Sequence, residues 1–154
     1  MRTFYVVRHA KAGNRSDWTG DDRKRPLSKK GFKQAEDLVG LLKDAPVSAI
    51  FASPYRRCVQ TVEPLAKALR LPITQMDPLA EGHGLNGLDV FLTDQKLDHA
   101  VLSTHGDIVW ELVEDLVRRE VPEAGDGGYE KGSTWIIQVD REGVPERARY
   151  LPAP

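Results

Sequence analysis

Two histidines and two arginines in this sequence have the types and positions that phosphoryl transfer needs. His9 follows Arg8 at the end of an apolar run, Arg57 lies just past Ser53, and His105 closes a second apolar run. A neutral imidazole is a competent nucleophile near neutral pH and forms a covalent phosphoramidate that water later hydrolyses. Planar, permanently charged guanidinium groups bind phosphate oxygens in a bidentate manner. The set predicts that His9 attacks a phosphoryl group, which the two arginines and His105 hold.

These residues meet only if three predicted strands end at the same edge of one sheet. The strands are short runs of apolar, β-branched and aromatic residues at 4–7, 49–52 and 99–104. Helical patterns alternate with them at 28–43, 55–69 and 107–119. This alternation predicts an α/β fold, a three-layer α/β/α arrangement with a mainly parallel sheet flanked by helices. Sites in such sheets lie beyond the carboxyl ends of the strands, where all three runs have their polar residues.

The rest of the chain divides into loops and shorter elements. Residues 10–30 are polar and rich in Gly, Asp, Lys and Arg, with Trp18 as the one aromatic side chain, which is typical of a functional or a disordered loop. Ser53 followed by Pro54 predicts a helix start with Ser53 as the N-cap, and Pro64 is expected to kink or restart that helix. Further on we expect a strand at 71–76, Gly-rich loops at 77–89 and 123–132, a helix at 90–96, and a final strand at 134–139 before an extended tail ending near residue 149.

Length, charge and cysteine content limit the class of protein. The 154 residues fit one domain, which we expect to span residues 1–154. Lys and Arg total 22 and Asp and Glu total 23, and the formal charge of -1 argues against a nucleic acid polymer as a partner. The apolar run before Arg8 is too short for a signal-peptide core or a membrane span, so we expect a cytoplasmic protein with no membrane partner. Cys58 is the single cysteine and cannot form an internal disulfide, which fits a reducing compartment.

Three motifs at the strand ends resemble those of a known family. Arg8-His9-Ala10 resembles the Arg-His-Gly signature of the histidine phosphatase superfamily, also called the phosphoglycerate-mutase-like family. Residues 53–61, Ser-Pro-Tyr-Arg-Arg-Cys-Val-Gln-Thr, look like its second motif, Ser-Pro-x-x-Arg-Ala-x-x-Thr, which identifies Arg57 rather than Arg56 as the phosphate-binding arginine. Thr104-His105-Gly106 resembles the motif that carries its second histidine. Any one motif is a weak signal, whereas the three agree in order and spacing over nearly the whole chain.

Within that superfamily the chain resembles two groups. Its short length and the segment Arg-Pro-Leu-Ser-Lys-Lys-Gly at 25–31 resemble the small SixA-like branch, named for a protein phosphohistidine phosphatase. Residues 18–22 and 57–61 are also similar to the phosphatase-like domain of Nudix-linked two-domain hydrolases that sanitise nucleotides, although no Nudix box is visible. The resemblance implies a phosphoglycerate-mutase-like fold and a phosphatase that needs no cofactor. Its substrate would be a phosphorylated small molecule or a phosphoprotein, with protein phosphohistidine, a nucleotide and a small phosphoester as candidates.

The sequence departs from the family pattern at one position and raises a question at a second. Ala10 replaces the usual glycine, and its methyl group could narrow the approach to His9. Larger relatives carry a glutamate as proton donor in the loop after the third strand, and Glu81 takes a comparable place here. SixA itself is thought to lack that group, since a phosphohistidine leaving group needs less protonation than an alkoxide. With Glu81 at the site, phosphate monoesters also become plausible substrates.

Several further residues could either take part in function or have only a structural or solvent-exposed role. Arg25, Asn14 and Lys11 are candidates for substrate binding, with a solvated loop as the alternative. Arg56 is expected to be a surface charge, in contrast to its neighbour Arg57.

A metal site and a thiol nucleophile are both rejected on sequence grounds. His9, His83 and His105 could supply zinc ligands by residue type, but they lack cysteine partners or close His-x-x-x-His spacing, and His83 is expected to be an exposed loop residue. Cys58 is better explained as a small buried thiol than as a thiolate nucleophile.

Two other classes of function compete with the phosphatase. A phosphate-sensing or partner-binding domain of the same fold would keep the pocket without turnover, and Ala10 together with the uncertain proton donor motivates it. Alternatively Trp18, Trp110 or Trp135 mark an interface between subunits, with core packing as the plain account. The sequence carries no indication of oligomeric state.

Overall fold

Six strands form one mixed sheet in a computed structural model of the chain. The structure describes residues 1–154, apart from the side chain of Asp126. The strands are β1 (Arg2–Arg8), β2 (Ala49–Ala52), β3 (Ile73–Gln75), β4 (Ala100–Thr104), β5 (Thr134–Val139) and β6 (Pro145–Leu151), and the helices are α1 (Lys29–Leu42), α2 (Arg56–Leu69), α3 (Gly84–Leu92) and α4 (Gly106–Arg118). The order across the sheet is β3-β2-β4-β1-β5-β6, with parallel pairing among the first four strands and antiparallel pairing for β5 and β6. The predicted α/β fold is confirmed.

Side chains of β1 alternate between two cores, which makes the fold three layers thick. Phe4 and Val6 belong to a cluster with apolar side chains of α3 and α4. Tyr5 and Val7 belong to a second cluster with side chains of α1 and α2. A strand that is buried on both faces carries an unbroken apolar run, and this is why β1 is visible in the sequence. None of the described helices is long and apolar enough to cross a membrane.

The register of the parallel strands brings their carboxyl ends level. Arg8, the last residue of β1, pairs with the last residue of β4, so His9 and His105 leave adjacent strands side by side. The last residue of β2 pairs with the fourth residue of β4, and Ser53 therefore follows in the same row. The sheet thus collects three of the polar strand ends at one edge, as the sequence predicts.

The C-terminal tail is a sixth strand, which corrects the prediction of an extended tail. β6 pairs antiparallel with β5 at the edge of the sheet. The turn between them is closed by Asp140, whose Oδ1 accepts the amide N–H groups of Glu142 at 2.8 Å and Val144 at 2.9 Å. Gly143 lies in the turn at φ +87°, a conformation that favours glycine. β6 escaped prediction because an edge strand with exposed charged residues lacks a clean apolar alternation.

The predicted loop at 77–89 and helix at 90–96 are also wrong, because α3 occupies Gly84–Leu92. Leu88 and Leu92 are buried in the core at helical spacing. A Cβ atom at Gly87 would lie 1.9 Å from the carbonyl oxygen of Pro78, so this glycine permits close packing of the helix. Gly87 therefore reflects tight contact, whereas Gly82 lies in the loop before α3 at φ +95°.

One smaller correction concerns the start of α2, while the loop after β1 agrees with one of its two predicted alternatives. Tyr55 is the N-cap residue of α2, and Ser53 bonds elsewhere, while Pro64 lies inside the helix without ending it. The polar segment predicted at 10–30 contains two short 3-10 turns, and a β-bridge between Ala12 and Leu27 joins its ends. It is a folded loop whose first residues reach the site.

Candidate active site

All eight residues predicted for the site line one cavity of about 720 Å³ at the carboxyl ends of β1 and β4. They are Arg8, His9, Lys11, Asn14, Arg25, Arg57, Glu81 and His105. The floor of this cavity consists of four buried or half-buried residues, Arg8, His9, Arg57 and His105. Its rim consists of seven exposed residues, Lys11, Asn14, Arg15, Asp107, Trp110, Tyr129 and Lys131.

His9 has one ring nitrogen committed to the backbone and the other available. Its Nδ1 donates to the carbonyl oxygen of Ala10 at 2.8 Å, which leaves the lone pair on Nε2. Burial lowers the pKa of His9 to about 3; the hydrogen bond to Ala10 opposes this shift, and nearby positive charge adds to it. The imidazole is therefore neutral at pH 7, the state in which Nε2 is nucleophilic.

His105 lies beside His9, with the ring centroids 5.6 Å apart in an edge-to-face arrangement. Its Nε2 is 2.8 Å from the hydroxyl of Ser53, which accepts the amide N–H of Tyr55 at 3.3 Å. We assign the Ser53 hydroxyl as the donor to Nε2, which also lies 3.4 Å from Sγ of Cys58, and this assignment puts the ring proton of His105 on Nδ1. Burial lowers the pKa of His105 to about 3, and the charge of Arg57 lowers it further. A neutral imidazole with its N–H on Nδ1 is a hydrogen-bond donor without a charge.

Arg8 reaches the floor from the end of β1. Its Nη1 donates to the carbonyl oxygen of Tyr129 at 2.6 Å. Its guanidinium packs on Gly106, where a Cβ atom would lie 2.6 Å from Cζ, so a larger residue at the first position of α4 would displace the guanidinium. The Nε of Arg8 is buried and has no hydrogen-bond partner among the described residues. Buried donors in proteins nearly always have partners, so this one is suited to a bound anion.

Arg57 projects from the first turn of α2 and is only 1% exposed. Its Nη1 donates to the carbonyl oxygen of Asp22 at 2.9 Å, and its Nη2 donates to Asp22 Oδ2 at 3.1 Å and to Glu81 Oε1 at 2.9 Å. Its Nε, like that of Arg8, is buried without a partner in the described part of the chain. An anion on the floor would therefore meet this Nε–H of Arg57, and it would compete with two carboxylates for the N–H groups of Nη2.

Asp22 is a structural member of the site that the sequence did not predict. Its Oδ1 accepts from Nε of Arg25 at 2.9 Å, while Oδ2 serves Arg57. Arg25 is 7% exposed and also donates to the carbonyl oxygen of Gly13. Burial alone would raise the pKa of Asp22, but the hydrogen bonds from Arg25 and Arg57 hold it below its usual value. The ionised carboxylate thus fixes two arginines against the cavity.

Lys11 and Asn14 enter the cavity from the loop that follows His9. Lys11 is exposed, and its amide N–H donates to Oε1 of Gln34 at 3.0 Å, which fixes the backbone. The side-chain oxygen of Asn14 accepts from the amide of Ser16 at 3.1 Å and from its hydroxyl at 2.9 Å. The amide nitrogen of Asn14 is the part of that side chain left for a ligand.

Trp110 and Tyr129 form an aromatic pair on the rim that sequence reasoning missed. Their ring centroids are 4.7 Å apart and the planes are inclined at 84°. Trp110 is 44% exposed and Tyr129 is 41% exposed, although both are large side chains. The only sequence signal for Trp110 was its place on the helix that begins after His105.

Lys131 is another rim residue that the sequence did not predict, as are Arg15 and Asp107. The loop that carries Lys131 is hydrogen-bonded to the floor. The amide N–H of Gly132 donates to the carbonyl oxygens of Arg8 at 3.2 Å and His9 at 3.1 Å. Burial lowers the pKa of Lys131, and the charges of neighbouring cations lower it further, with Arg8 and Arg25 first among them. Positive charge is therefore concentrated at this part of the cavity.

Four residues for which the sequence analysis considered or expected a structural role do not line the cavity, although Sγ of Cys58 lies 3.4 Å from Nε2 of His105 beneath it. The methyl group of Ala10 is buried with Leu27 and Ala35 and does not line the cavity, so it does not narrow the approach to His9. Burial raises the pKa of the Cys58 thiol to about 12, which fits a buried thiol and opposes a thiolate nucleophile. His83 and Arg56 are exposed and lie outside the cavity lining.

Comparison with known proteins gives a family and one relative over the whole chain. The sequence profile of the histidine phosphatase superfamily (branch 1) matches residues 4–89, more than half of the chain. An 8-oxo-(d)GTP phosphatase of Mycolicibacterium smegmatis is 35% identical over 158 aligned positions, which cover 99% of this chain. The chain spans about half of that relative, 49% of its length.

Two further likenesses concern a shorter segment and the fold. The transcription factor tau 55 kDa subunit of Saccharomyces cerevisiae is 39% identical over 85 positions, covering 47% of this chain and 19% of that protein. The structure of the protein histidine phosphatase SixA complexed with tungstate superposes with a TM-score of 0.76 at 19% identity, covering 97% of this chain and 94% of that one. The latter likeness is one of fold.

Proposed function

The chain belongs to the histidine phosphatase superfamily, and on that premise we propose that it is a histidine-type phosphatase acting through a covalent phosphohistidine on His9. One observation carries the proposal. His9 is a buried neutral imidazole, and its Nδ1 is fixed by a carbonyl oxygen. It lies in a floor where two arginines have buried Nε–H groups without a partner among the described residues. A nucleophile without charge beside donors without partners is an arrangement suited to a phosphoryl group.

In the first step, Nε2 of His9 attacks phosphorus and forms the N–P bond as the bond from phosphorus to the leaving oxygen breaks. Arg8, Arg57 and the Nδ1–H of His105 donate to the non-bridging oxygens. Because the guanidinium groups are permanently charged and already in place, they stabilise the transition state without rearrangement of solvent. The backbone hydrogen bond at Nδ1 of His9 stabilises the positive charge that the phosphorylated ring acquires.

The leaving oxygen takes its bond electrons with it and needs a proton when it is an alkoxide. We assign Glu81 as the donor, because it lines the cavity and contacts Arg57 at 2.9 Å. A phosphate that draws Nη2 of Arg57 toward itself releases the carboxyl group of Glu81, which is then free to turn toward the leaving oxygen. In the second step the ionised Glu81 accepts a proton from water, the water oxygen bonds to phosphorus, and the N–P bond breaks to regenerate His9 and release phosphate.

Two substrate classes have support at this level. Protein phosphohistidine suits a site in which the acid, Glu81, is held by Arg57. A leaving imidazole needs less protonation than an alkoxide, so it depends less on such an acid. A phosphorylated nucleotide is supported by the name of the relative that is 35% identical over nearly the whole chain.

The covalent step is tested by rapid quench with a ³²P-labelled aryl phosphate. We expect an acid-labile, base-stable phosphoenzyme within the first turnover, and a fall in turnover of about four orders of magnitude for His9→Ala. His83→Ala is the matched control, because it removes an exposed imidazole outside the cavity. Full activity in His9→Ala, or wild-type turnover without any phosphoenzyme, overturns the proposal.

A second candidate is a phosphate-sensing or partner-binding domain of the same fold. The partial likeness to a transcription factor subunit favours it, as does the engagement of Arg57 by two carboxylates. Phosphate binding by the full chain with no hydrolysis of the aryl phosphate would select this function.

A further inference from the structure

The floor accounts for one phosphoryl group, but the cavity is wider and more positively charged than one such group requires. Six Lys or Arg side chains line it against two carboxylates: Arg8, Lys11, Arg15, Arg25, Arg57 and Lys131 against Glu81 and Asp107. Arg25 and Arg57 are already paired with Asp22, and Nε of the exposed Arg15 lies 3.8 Å from the same carboxylate. Lys11 and Lys131 are in no ion pair of the described residues, and with Arg15 they offer rim cations to negative charge that lies beyond the floor.

The aromatic pair occupies the same rim. Trp110 and Tyr129 pack edge to face, so part of each ring remains open to the cavity. The other two tryptophans are satisfied elsewhere: Trp135 is fully buried in the core, and Nε1 of Trp18 donates to the carbonyl oxygen of Asp21 at 2.9 Å. Open aromatic faces beside a cationic pocket are suited to a flat ring attached to a phosphate chain.

The pair is held in a fixed relation to the floor. Arg8 donates to the carbonyl oxygen of Tyr129, and Nε1 of Trp135 donates to the carbonyl oxygen of Gly128 at 2.7 Å. Trp110 lies in the second turn of α4, the helix that begins directly after His105. The rings are thus built on the same elements that position the floor, which makes them a preformed surface for a ligand.

Taking the phosphatase function proposed above as its basis, we propose that the substrate is a nucleoside polyphosphate. Its terminal phosphoryl group binds the floor, its remaining phosphates follow the rim cations, and its base stacks on Trp110 and Tyr129. His9 Nε2 bonds to the terminal phosphorus and the bond to the bridging oxygen breaks, releasing a nucleotide with one phosphate fewer. Water then cleaves the N–P bond and yields inorganic phosphate.

The position of the aromatic pair separates this substrate from protein phosphohistidine. In phosphohistidine the imidazole is bonded directly to phosphorus, so its ring stays at the floor when phosphorus meets His9. In a nucleotide the ribose and the inner phosphates separate the base from the terminal phosphorus, which carries the base outward to the rim. The pair on the rim is therefore placed for a base and not for the leaving imidazole.

The test compares binding of nucleoside diphosphates with binding of pyrophosphate, which has the same phosphates and no base. Adenosine and guanosine diphosphate and pyrophosphate are titrated by calorimetry into the full chain carrying His9→Ala, so that no turnover occurs. We expect at least one nucleotide to bind about 5- to 100-fold more tightly than pyrophosphate, the range for one base stacked on an aromatic side chain. Adding Trp110→Ala is expected to bring that ratio close to one, and Trp110→Phe to restore most of it.

Phe32→Ala is the matched control, since Phe32 is also 44% exposed but lies on α1 outside the cavity. The proposal is overturned if pyrophosphate and both nucleotides bind alike, or if Phe32→Ala lowers the ratio as much as Trp110→Ala. Equal loss of nucleotide and pyrophosphate affinity in Trp110→Ala also overturns it. That result would mean that the substitution changes phosphate binding at the floor rather than stacking of the base. A failure of the phosphatase function gives a different result. In that case nucleotide binding still depends on Trp110, but the wild-type chain forms no phosphoenzyme.

Discussion

The floor and the rim of this cavity differ in how their side chains are held. Three of the four floor residues are buried. The imidazoles of His9 and His105 are uncharged at pH 7, and each has one ring nitrogen in a hydrogen bond within the protein and the other available to a ligand. The rim side chains are exposed. Desolvated groups with fixed partners act strongly on an anion, whereas exposed charges are screened by water and salt. Substitutions on the floor should therefore change the rate for every substrate, and those on the rim should change the preference among substrates.

After the loss of the nucleophile in His9→Ala, the largest expected effect comes from Arg57→Lys, with Arg56→Lys as its neighbour control. A lysine at 57 loses the planar fork that serves both the carboxylates and the phosphoryl group, so we expect kcat/KM for an aryl phosphate to fall about 100- to 1,000-fold. Arg56 is exposed and outside the cavity, and its replacement should cost less than twofold. Thermal unfolding of both variants checks that the fold survives. Similar activities for the two variants would mean that Arg57 does not bind the phosphoryl group.

A smaller and more selective effect is expected for Glu81→Gln. Glutamine keeps an oxygen for Arg57 but cannot donate the acid proton. The rate of phosphoenzyme formation from an alkyl phosphate should fall about 100-fold, while that from an aryl phosphate with a good leaving group should fall only a few-fold. Asp107→Asn is the comparison, because this carboxylate also lines the cavity but accepts the amide N–H of Gly82 at 2.8 Å. If Asp107→Asn shows the leaving-group dependence instead, the proton donor is Asp107.

Desolvation of the floor predicts a pH-dependent loss of stability. The pKa values of His9 and His105 are lowered to about 3 in the folded chain, against about 6.5 in the unfolded chain. Between these values the unfolded chain binds protons that the folded chain does not, so stability is full above pH 6.5 and declines as the pH falls toward 3. Each histidine should lower the free energy of unfolding by about 1.4 kcal/mol between pH 7.5 and 5.5. Urea unfolding at the two pH values should show a smaller decline in His105→Asn, and an unchanged decline would mean that burial does not keep this imidazole neutral.

The floor could be predicted from the sequence because each of its residues follows a local signal. Arg8, His9 and His105 end apolar runs that are buried on both faces, and Arg57 lies at a fixed distance from a Ser-Pro helix start. Parallel strands bring such ends to one edge, so no knowledge of loop conformation was needed. The prediction that Ser53 caps α2 was wrong, because its hydroxyl is hydrogen-bonded to His105, which lies far away in the sequence.

The rim depends on strand direction and loop packing, which local patterns do not contain. β5 was predicted as a strand, but only its antiparallel pairing with β1 brings the loop before it, with Tyr129 and Lys131, to the carboxyl end of β1. Asp22 lies in a polar loop where any acid looks solvated, and its bonds to Arg25 and Arg57 appear only when the loop folds back on α2. The helix α3 was missed because glycines that permit close packing resemble glycines that end a helix.

The smallest effect is expected at Lys131, and it tests the division between floor and rim most directly. Burial and then the surrounding cations lower the pKa of Lys131, so its removal weakens attraction for an anion but also relieves repulsion within the protein. Lys131→Gln should therefore raise KM for a polyphosphate only about two- to fivefold at low salt, and the difference should vanish near 0.5 M salt, where charges are screened beyond about 4 Å. Lys67→Gln, an exposed lysine outside the cavity, should show no change at either salt concentration. A tenfold or larger loss for Lys131→Gln that persists in high salt would instead require a desolvated contact with the substrate, and Lys131 would then belong to the floor.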